Sequence, residues 1–334
     1  MRSVEDLRTR LTEAGAAPLH VRRLVRFWLD GRGFDEVPRR RGRTPRRGRR
    51  LEQALPSIAD ALDDLVREVH REEGEDGARR VLRLASGRTV ESVDLPRGGV
   101  CVSTQVGCAV GCRFCKTGED GLLQQLTALE ILAQIAHARR DHKVRRVVFM
   151  GMGEPAHNLD AVLEAIDVLG HEGDIGHKNL VFSTVGDPAD FTRLGEGRVR
   201  PALALSLHTV DDAKRADLLP RAPKVPVADL LEAALAYAER IGYPLLVQWT
   251  LLEDFNDADD EADRLAAFLG GRRAIVNFIP FNDVEGNGFA RPPIGRCVGL
   301  VRRMRRHGVI TTLRLSAAQD VDGGCGQLRA RLNP

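Results

Sequence analysis

Apolar positions along this chain follow two different rhythms. From residue 1 to about 85 they recur at helical spacing. "SVEDLRTRLTEAG" begins at Ser3 with Asp6 three positions later, close to a capping box, and ends at Gly15. "LHVRRLVRFWLDGRG" continues the pattern and assigns Trp28 to the core. "LEQALPSIADALDDLVREVHR" predicts a third helical region broken at Pro56. "RRVLRLASGRTVESVDL" then alternates with period two, a hairpin turning at "SGR". From Cys101 onward short β-branched or apolar runs take over: 144–150, 179–184, 202–207, 244–252, 274–281 and 309–315. Amphipathic helical segments such as "TALEILAQIAHARRD", "NLDAVLEAIDVLG", "VADLLEAALAYAERIG" and "EADRLAAFLGG" lie between them. Strand–helix alternation means a parallel sheet with right-handed crossovers. The expected fold class is α/β: a partial (βα)6 barrel over 86–334, a small helical accessory domain over 1–85, and a β-hairpin linker. Six units fall short of the eight that close a full barrel.

Composition adds little until the charges and cysteines are placed. The 334 residues are 43% hydrophobic and 29% charged, ordinary for a globular chain. No apolar run approaches the ~20 residues of a membrane helix. The charged start "MRSVEDLRTRL" carries no signal-like apolar stretch, so a cytoplasmic protein and no membrane partner are expected. Net charge is +3, yet "RRRGRTPRRGRR" (39–50) holds eight arginines and no acid. Such a run is either a solvated basic loop or an arm for phosphates. Of six cysteines, four fall between 101 and 115, a spacing for metal or redox chemistry in a reducing compartment.

Cys108, Cys112 and Cys115 form a C-x3-C-x2-C triplet. Structural zinc takes four protein ligands, and neither a second cysteine pair nor a nearby histidine completes this set. A [4Fe-4S] cluster held by three thiolates instead leaves one iron open to an outside ligand. The amino and carboxylate groups of S-adenosylmethionine (SAM) suit that iron, and reduction of the sulfonium there yields a 5′-deoxyadenosyl radical. Phe114 would shield the cluster from water. "FMGMGEPAHN" ends a predicted strand in a glycine turn, where Gly153 allows close approach and Glu154 can accept from an ammonium. "FSTVGD", "ALSLHTV" and "FIPFND" close later strands with polar groups suited to ribose and carboxylate contacts. A structural zinc site with a distant fourth ligand stays the alternative.

Taken in order, "CVSTQVGCAVGCRFC", "MGMGEP", "FST", "LSLH", "FIPFN" and "DVDGGCGQL" resemble the radical SAM methyltransferases that modify carbon 2 of an adenosine in 23S rRNA and tRNA. The likeness spans nearly the whole chain. It implies a cluster on Cys108, Cys112 and Cys115, two SAM per turnover, and SAM contacts at Gly153, Glu154, Ser183, Ser206, Leu207, His208 and Asn282. It also implies that Cys325 accepts a methyl group from one SAM, and that a second SAM, cleaved at the cluster, takes a hydrogen from it. The methylene radical adds to adenine, and the adduct gives up one electron and its ring proton, which Glu91 accepts. Attack of Cys101 on the Cys325 sulfur then releases the product and leaves a transient Cys101–Cys325 disulfide. RNA and an electron donor such as flavodoxin or ferredoxin are the implied partners of a monomer. This chain departs from the family at "KTGEDGLLQQL" after the triplet and at "LRLSAAQ" (313–319). Methylation at carbon 8, a paralogue with another substrate, and a non-catalytic RNA-binding protein with structural metal stay open. Cys297 matches no motif and reads as a buried small residue.

Overall fold

The structure, a computed structural model, describes residues 1–36, 48–284 and 286–329. Most of the arginine-rich segment, 39–47, lies outside the described residues. Three helices lead: α1 (Val4–Glu13), α2 (Pro18–Leu29) and α3 (Arg49–Asp63). The capping box of α1 is complete, with Ser3 Oγ accepting from the Asp6 N–H (3.0 Å) and Asp6 Oδ2 accepting from the Ser3 N–H (3.1 Å). Trp28 is buried as expected. Pro56 does not break α3. The missing N–H would have reached the carbonyl of Glu52, and both residues face water, which replaces the lost bond.

The helical reading of residues up to about 85 fails after Asp63. The chain turns instead into β1 (Val66–Glu73), β2 (Ala78–Leu84) and β3 (Thr89–Leu95), an antiparallel meander. The acids of β1 are what the helical pattern concealed: Glu68 and Glu72 each accept from an arginine of β2, Arg80 and Arg79, at 2.7 Å. Arg80 is fully buried and also bonds Asp94 and Asp141 (2.6 Å each). A strand that supplies counter-charges to buried guanidiniums has no need of its own apolar face. The predicted hairpin turn at "SGR" joins β2 to β3.

Next come β4 (Gly99–Cys101), the short β5 (Gln105–Gly107) and β6 (Leu122–Gln125), and α4 (Ala128–Ala138). The chain then alternates β7 (Arg146–Phe149), α5 (Leu159–His171), β8 (Leu180–Thr184), α6 (Pro188–Glu196), β9 (Ala202–Ser206), α7 (Asp212–Leu218), α8 (Val227–Ile241), β10 (Leu245–Leu251), α9 (Asp259–Leu269), β11 (Ala274–Pro280), α10 (Ile294–Arg306) and β12 (Ile310–Leu313). One sheet runs β1-β2-β3-β4-β7-β8-β9-β10-β11-β12, parallel from β4 onward. Six crossovers join the seven parallel strands, which is the expected α/β partial barrel, and the β1–β3 meander extends it on the β4 side. Phe149, Phe182, Trp249 and Phe278 bury their rings in its core. No helix of the described residues is long and apolar enough to cross a membrane.

Candidate functional site

A cleft, partly open to solvent, lies at the carboxyl ends of the parallel strands. In such sheets this is where ligands bind. Met150, Ser183, Ser206, Gln248, Thr250 and Ile279 line it from the ends of five successive strands. The antiparallel β5–β6 ribbon frames the loop that carries the cysteine triplet, and Cys108, Cys112 and Cys115 all line the cleft. Val110, Phe114, Val185, Leu218, Leu219, Leu252 and Phe281 pack around them as a separate apolar cluster. Phe114 meets the His208 ring edge-on, with centroids 4.8 Å apart.

Burial pushes the Cys108 thiol up to about 12 and raises Cys112 and Cys115 as well. Buried thiols of this kind serve as ligands only when they release their protons as a cation binds. Among the described residues no three His, Cys, Asp or Glu side chains close around a single metal ion. All three thiols nonetheless border one cavity, a donor set that fits a polynuclear iron–sulfur group better than one zinc ion.

Opposite the cysteines stands Glu154, 4% exposed. Its Oε2 accepts from the Val185 N–H (2.9 Å) and Oε1 from the Ala156 N–H (3.1 Å), while burial pushes it up to about 7. Gly153 adopts φ +104°, and a Cβ there would come within 2.6 Å of Gln105. That contact lets Gln105 Oε1 accept from the Glu154 N–H (2.8 Å). His208 Nδ1 accepts from the Thr250 N–H (3.0 Å), so the proton of the neutral ring sits on Nε2 as a donor. Burial and the Arg215 charge hold His208 down at about 3, so it stays neutral.

Cys325 reaches the same cleft from far along the chain. The Lys116 N–H, next to Cys115, donates to the carbonyl of Gly326 (2.8 Å). A Cβ on Gly326 would stand 3.2 Å from the Phe114 carbonyl, so the two backbones touch. Cys325 is near enough for its charge to raise both Cys115 and Cys101. Cys101, 8% exposed at the end of β4, is pushed up to about 12 by burial and then by Cys325, against the Arg314 guanidinium and the Met150 N–H.

Of the other expected site residues, Gly153, Glu154, Ser183, Ser206 and His208 line the cleft, whereas Leu207 and Asn282 do not. Leu207 points into the core. Asn282 Nδ2 instead donates to the Cys325 carbonyl and to Ser316 Oγ, each at 2.9 Å. Glu91 is buried outside the cleft lining, its Oε1 accepting from Arg79 (2.7 Å) and its Oε2 from the Arg329 N–H (2.9 Å). Sequence reasoning missed Gln105, Gln248 and Thr250: Gln105 lies within the quoted cysteine motif without being singled out, and Gln248 and Thr250 on β10 carry no motif.

A cysteine-triplet cleft on an open parallel barrel defines the radical SAM class, and the Radical SAM superfamily profile matches residues 102–266. The chain is 57% identical over 328 residues to a probable RNA methyltransferase of Thiobacillus denitrificans, covering 98% of this chain and 90% of the relative. A probable RNA methyltransferase of Pseudomonas aeruginosa is 54% identical over 99% of this chain and 96% of its own length. A solved radical SAM methyltransferase from Sphaerobacter thermophilus superimposes with a TM-score of 0.84 at 29% identity, over 98% of both chains. The chain therefore belongs to the radical SAM superfamily, within the group that holds these relatives.

Proposed function

We propose that this protein is a radical SAM RNA methyltransferase that methylates carbon 2 of an adenosine in 23S rRNA or tRNA. The observation that supports the reading is that Cys325, from far along the chain, lines the same cleft as Cys108, Cys112 and Cys115, while Cys101, outside the cleft lining at the end of β4, is near enough to Cys325 to feel its charge. The triplet would hold a [4Fe-4S] cluster and bound SAM, which together supply the hydrogen-abstracting radical and the electron-transfer site. Every other task falls to the chain itself. Carbon 2 of adenine is electron-poor and does not displace a methyl group from a sulfonium, so a thiol must carry the methyl. Cys325 borders the cleft and is the carrier. Cys101, beside it and shielded from water, is the thiol that attacks the Cys325 sulfur and frees the product.

Glu154 and Gly153 face an ammonium group, the Ser183 and Ser206 hydroxyls the ribose, and His208 Nε2 donates into the cleft. Asn282 and Leu207 act from behind, through backbone they hold. Glu91 takes the ring proton while it keeps the Arg329 N–H on its Oε2, since a carboxylate offers several acceptor sites. Two SAM are used per turnover, a flavodoxin or ferredoxin supplies electrons, and residues 1–85 with the arginine-rich segment contact RNA phosphates.

The test is anaerobic cluster reconstitution followed by nucleoside analysis of the RNA, against standards methylated at carbon 2 and carbon 8. The expected product is the carbon-2 isomer; the carbon-8 isomer would move the assignment to the sister chemistry. Cys325→Ala should yield no methylated RNA, and Cys101→Ala should trap RNA on the protein. Normal turnover by Cys325→Ala would end the carrier assignment.

A further inference from the structure

Cys325 lies on a segment, 316–329, with one short 3-10 turn (Gln319–Val321) as its only regular structure. It nevertheless has to present one sulfur atom to several partners. We propose that the β1–β3 meander is a clamp that fixes where Cys325 stands, with Asp76 and Asp320 as positioning residues. The proposal rests on the carrier reading of Cys325.

The clamp has two jaws. Upstream, the turn between β1 and β2 grips the segment: the Ala318 N–H donates to Asp76 Oδ1 (2.9 Å), and the Glu75 N–H donates to Asp320 Oδ2 (3.0 Å). Downstream, the Arg329 N–H donates to Glu91 Oε2 on β3 (2.9 Å). Arg79 on β2 ties that carboxylate back to Glu72 on β1, both at 2.7 Å. Cys325 falls between the jaws, where the bonds from Asn282 and Lys116 set its backbone against the cysteine loop.

The backbone conformation shows why an outside grip is needed. Ala318 is fully buried at φ +53° and Asp322 sits at φ +56°, both left-handed. An alanine has no intrinsic preference for that region and stays there only when its surroundings impose it. Within the segment, the Gly323 N–H donates to the Ala318 carbonyl (2.7 Å). Asp76 supplies the bond on the other side of the same residue, from outside. Neither Asp76 nor Asp320 lines the cleft, so neither touches reacting atoms.

Two readouts test the clamp in the cluster-loaded protein. One is the rate of Cys101–Cys325 disulfide formation after diamide addition, without SAM or RNA, followed by peptide mass spectrometry. The other is the ratio of 5′-deoxyadenosine to methylated nucleoside during turnover. Asp76→Ala should slow the disulfide about tenfold, equivalent to ~1.4 kcal/mol, and raise the ratio by a similar factor. Asp320→Ala should act in the same direction. Asp76→Asn should stay within about twofold of the parent, because its amide oxygen accepts the same N–H. Adding Ala318→Gly to Asp76→Ala should restore most of the rate, since glycine enters the left-handed region freely. Unchanged cross-linking and ratio in Asp76→Ala, or equal loss in Asp76→Asn, would overturn the clamp. Full turnover by Cys325→Ala would instead remove the carrier reading, while cross-linking rates in the Asp76 variants would still decide the clamp.

Discussion

Between pH 7 and pH 9, closure of the Cys101–Cys325 disulfide should accelerate about a hundredfold with a log-linear slope near one. The attacking species is a thiolate, and burial beside Cys325 pushes Cys101 up to about 12. The thiolate fraction is then about 10⁻⁵ at pH 7 and about 10⁻³ at pH 9. A thiol at the ordinary 9.0 would have about 10⁻² at pH 7 and would begin to level off near pH 9. A more basic thiolate is also a better nucleophile, by roughly half a log unit per pKa unit, which recovers about thirtyfold of the thousandfold deficit. The net expectation is closure about thirtyfold slower at pH 7 than for an ordinary thiol, with no plateau below pH 9. Arg314 opposes the upward shift, so Arg314→Met should slow closure throughout this range and leave the slope unchanged. The assay is diamide oxidation, acid quench, alkylation and peptide mass spectrometry at half-unit pH steps. A curve that bends between pH 8 and 9 would refute the premise that Cys101 is held as a neutral thiol.

Cys112→Ser should lose the brown iron–sulfur chromophore on anaerobic reconstitution and all SAM cleavage, as read by visible absorbance and nucleoside chromatography. Glu154→Gln should keep the chromophore but weaken SAM binding about tenfold or more, the cost of removing a charged acceptor from a buried site; equilibrium binding measures it. Gly153→Ala places a Cβ 2.6 Å from Gln105 at φ +104°, so it should cost about 2–3 kcal/mol in denaturant unfolding. It should also weaken SAM binding.

The barrel was legible because its buried parallel strands are continuous apolar runs, each followed by an amphipathic helix. Residues 244–252 and 274–281 differ from β10 and β11 by a residue or so at the ends. β1 was not legible, because "VREVHREE" spends its acids on Arg79 and Arg80 across the meander, and charged positions there imitate a helix surface. Helix α10, "IGRCVGLVRRMRR", escaped for a related reason: its arginines bond Asp259 and Asp263 of α9, and its apolar stripe is narrow. At the site, the cysteines were readable because their spacing is itself the chemistry. The bracing of Cys325 by Asp76, Glu91 and Asn282 was not, since nothing in spacing says that residues 76 and 318 meet. Asn282 shows the difference most clearly: its motif was visible, but its Nδ2 donates to the carrier loop and not into the cleft.

The barrel is left unclosed, with Cys101 ending its first parallel strand and Cys325 following its last. A covalent bond between those two sulfurs would staple the two margins of the fold and enclose a loop of about 220 residues, worth about 5 kcal/mol in chain entropy. The protein would be at its most heat-resistant immediately after product leaves. Reductive resetting for the next round would then loosen the entire scaffold as well as rearm a thiol.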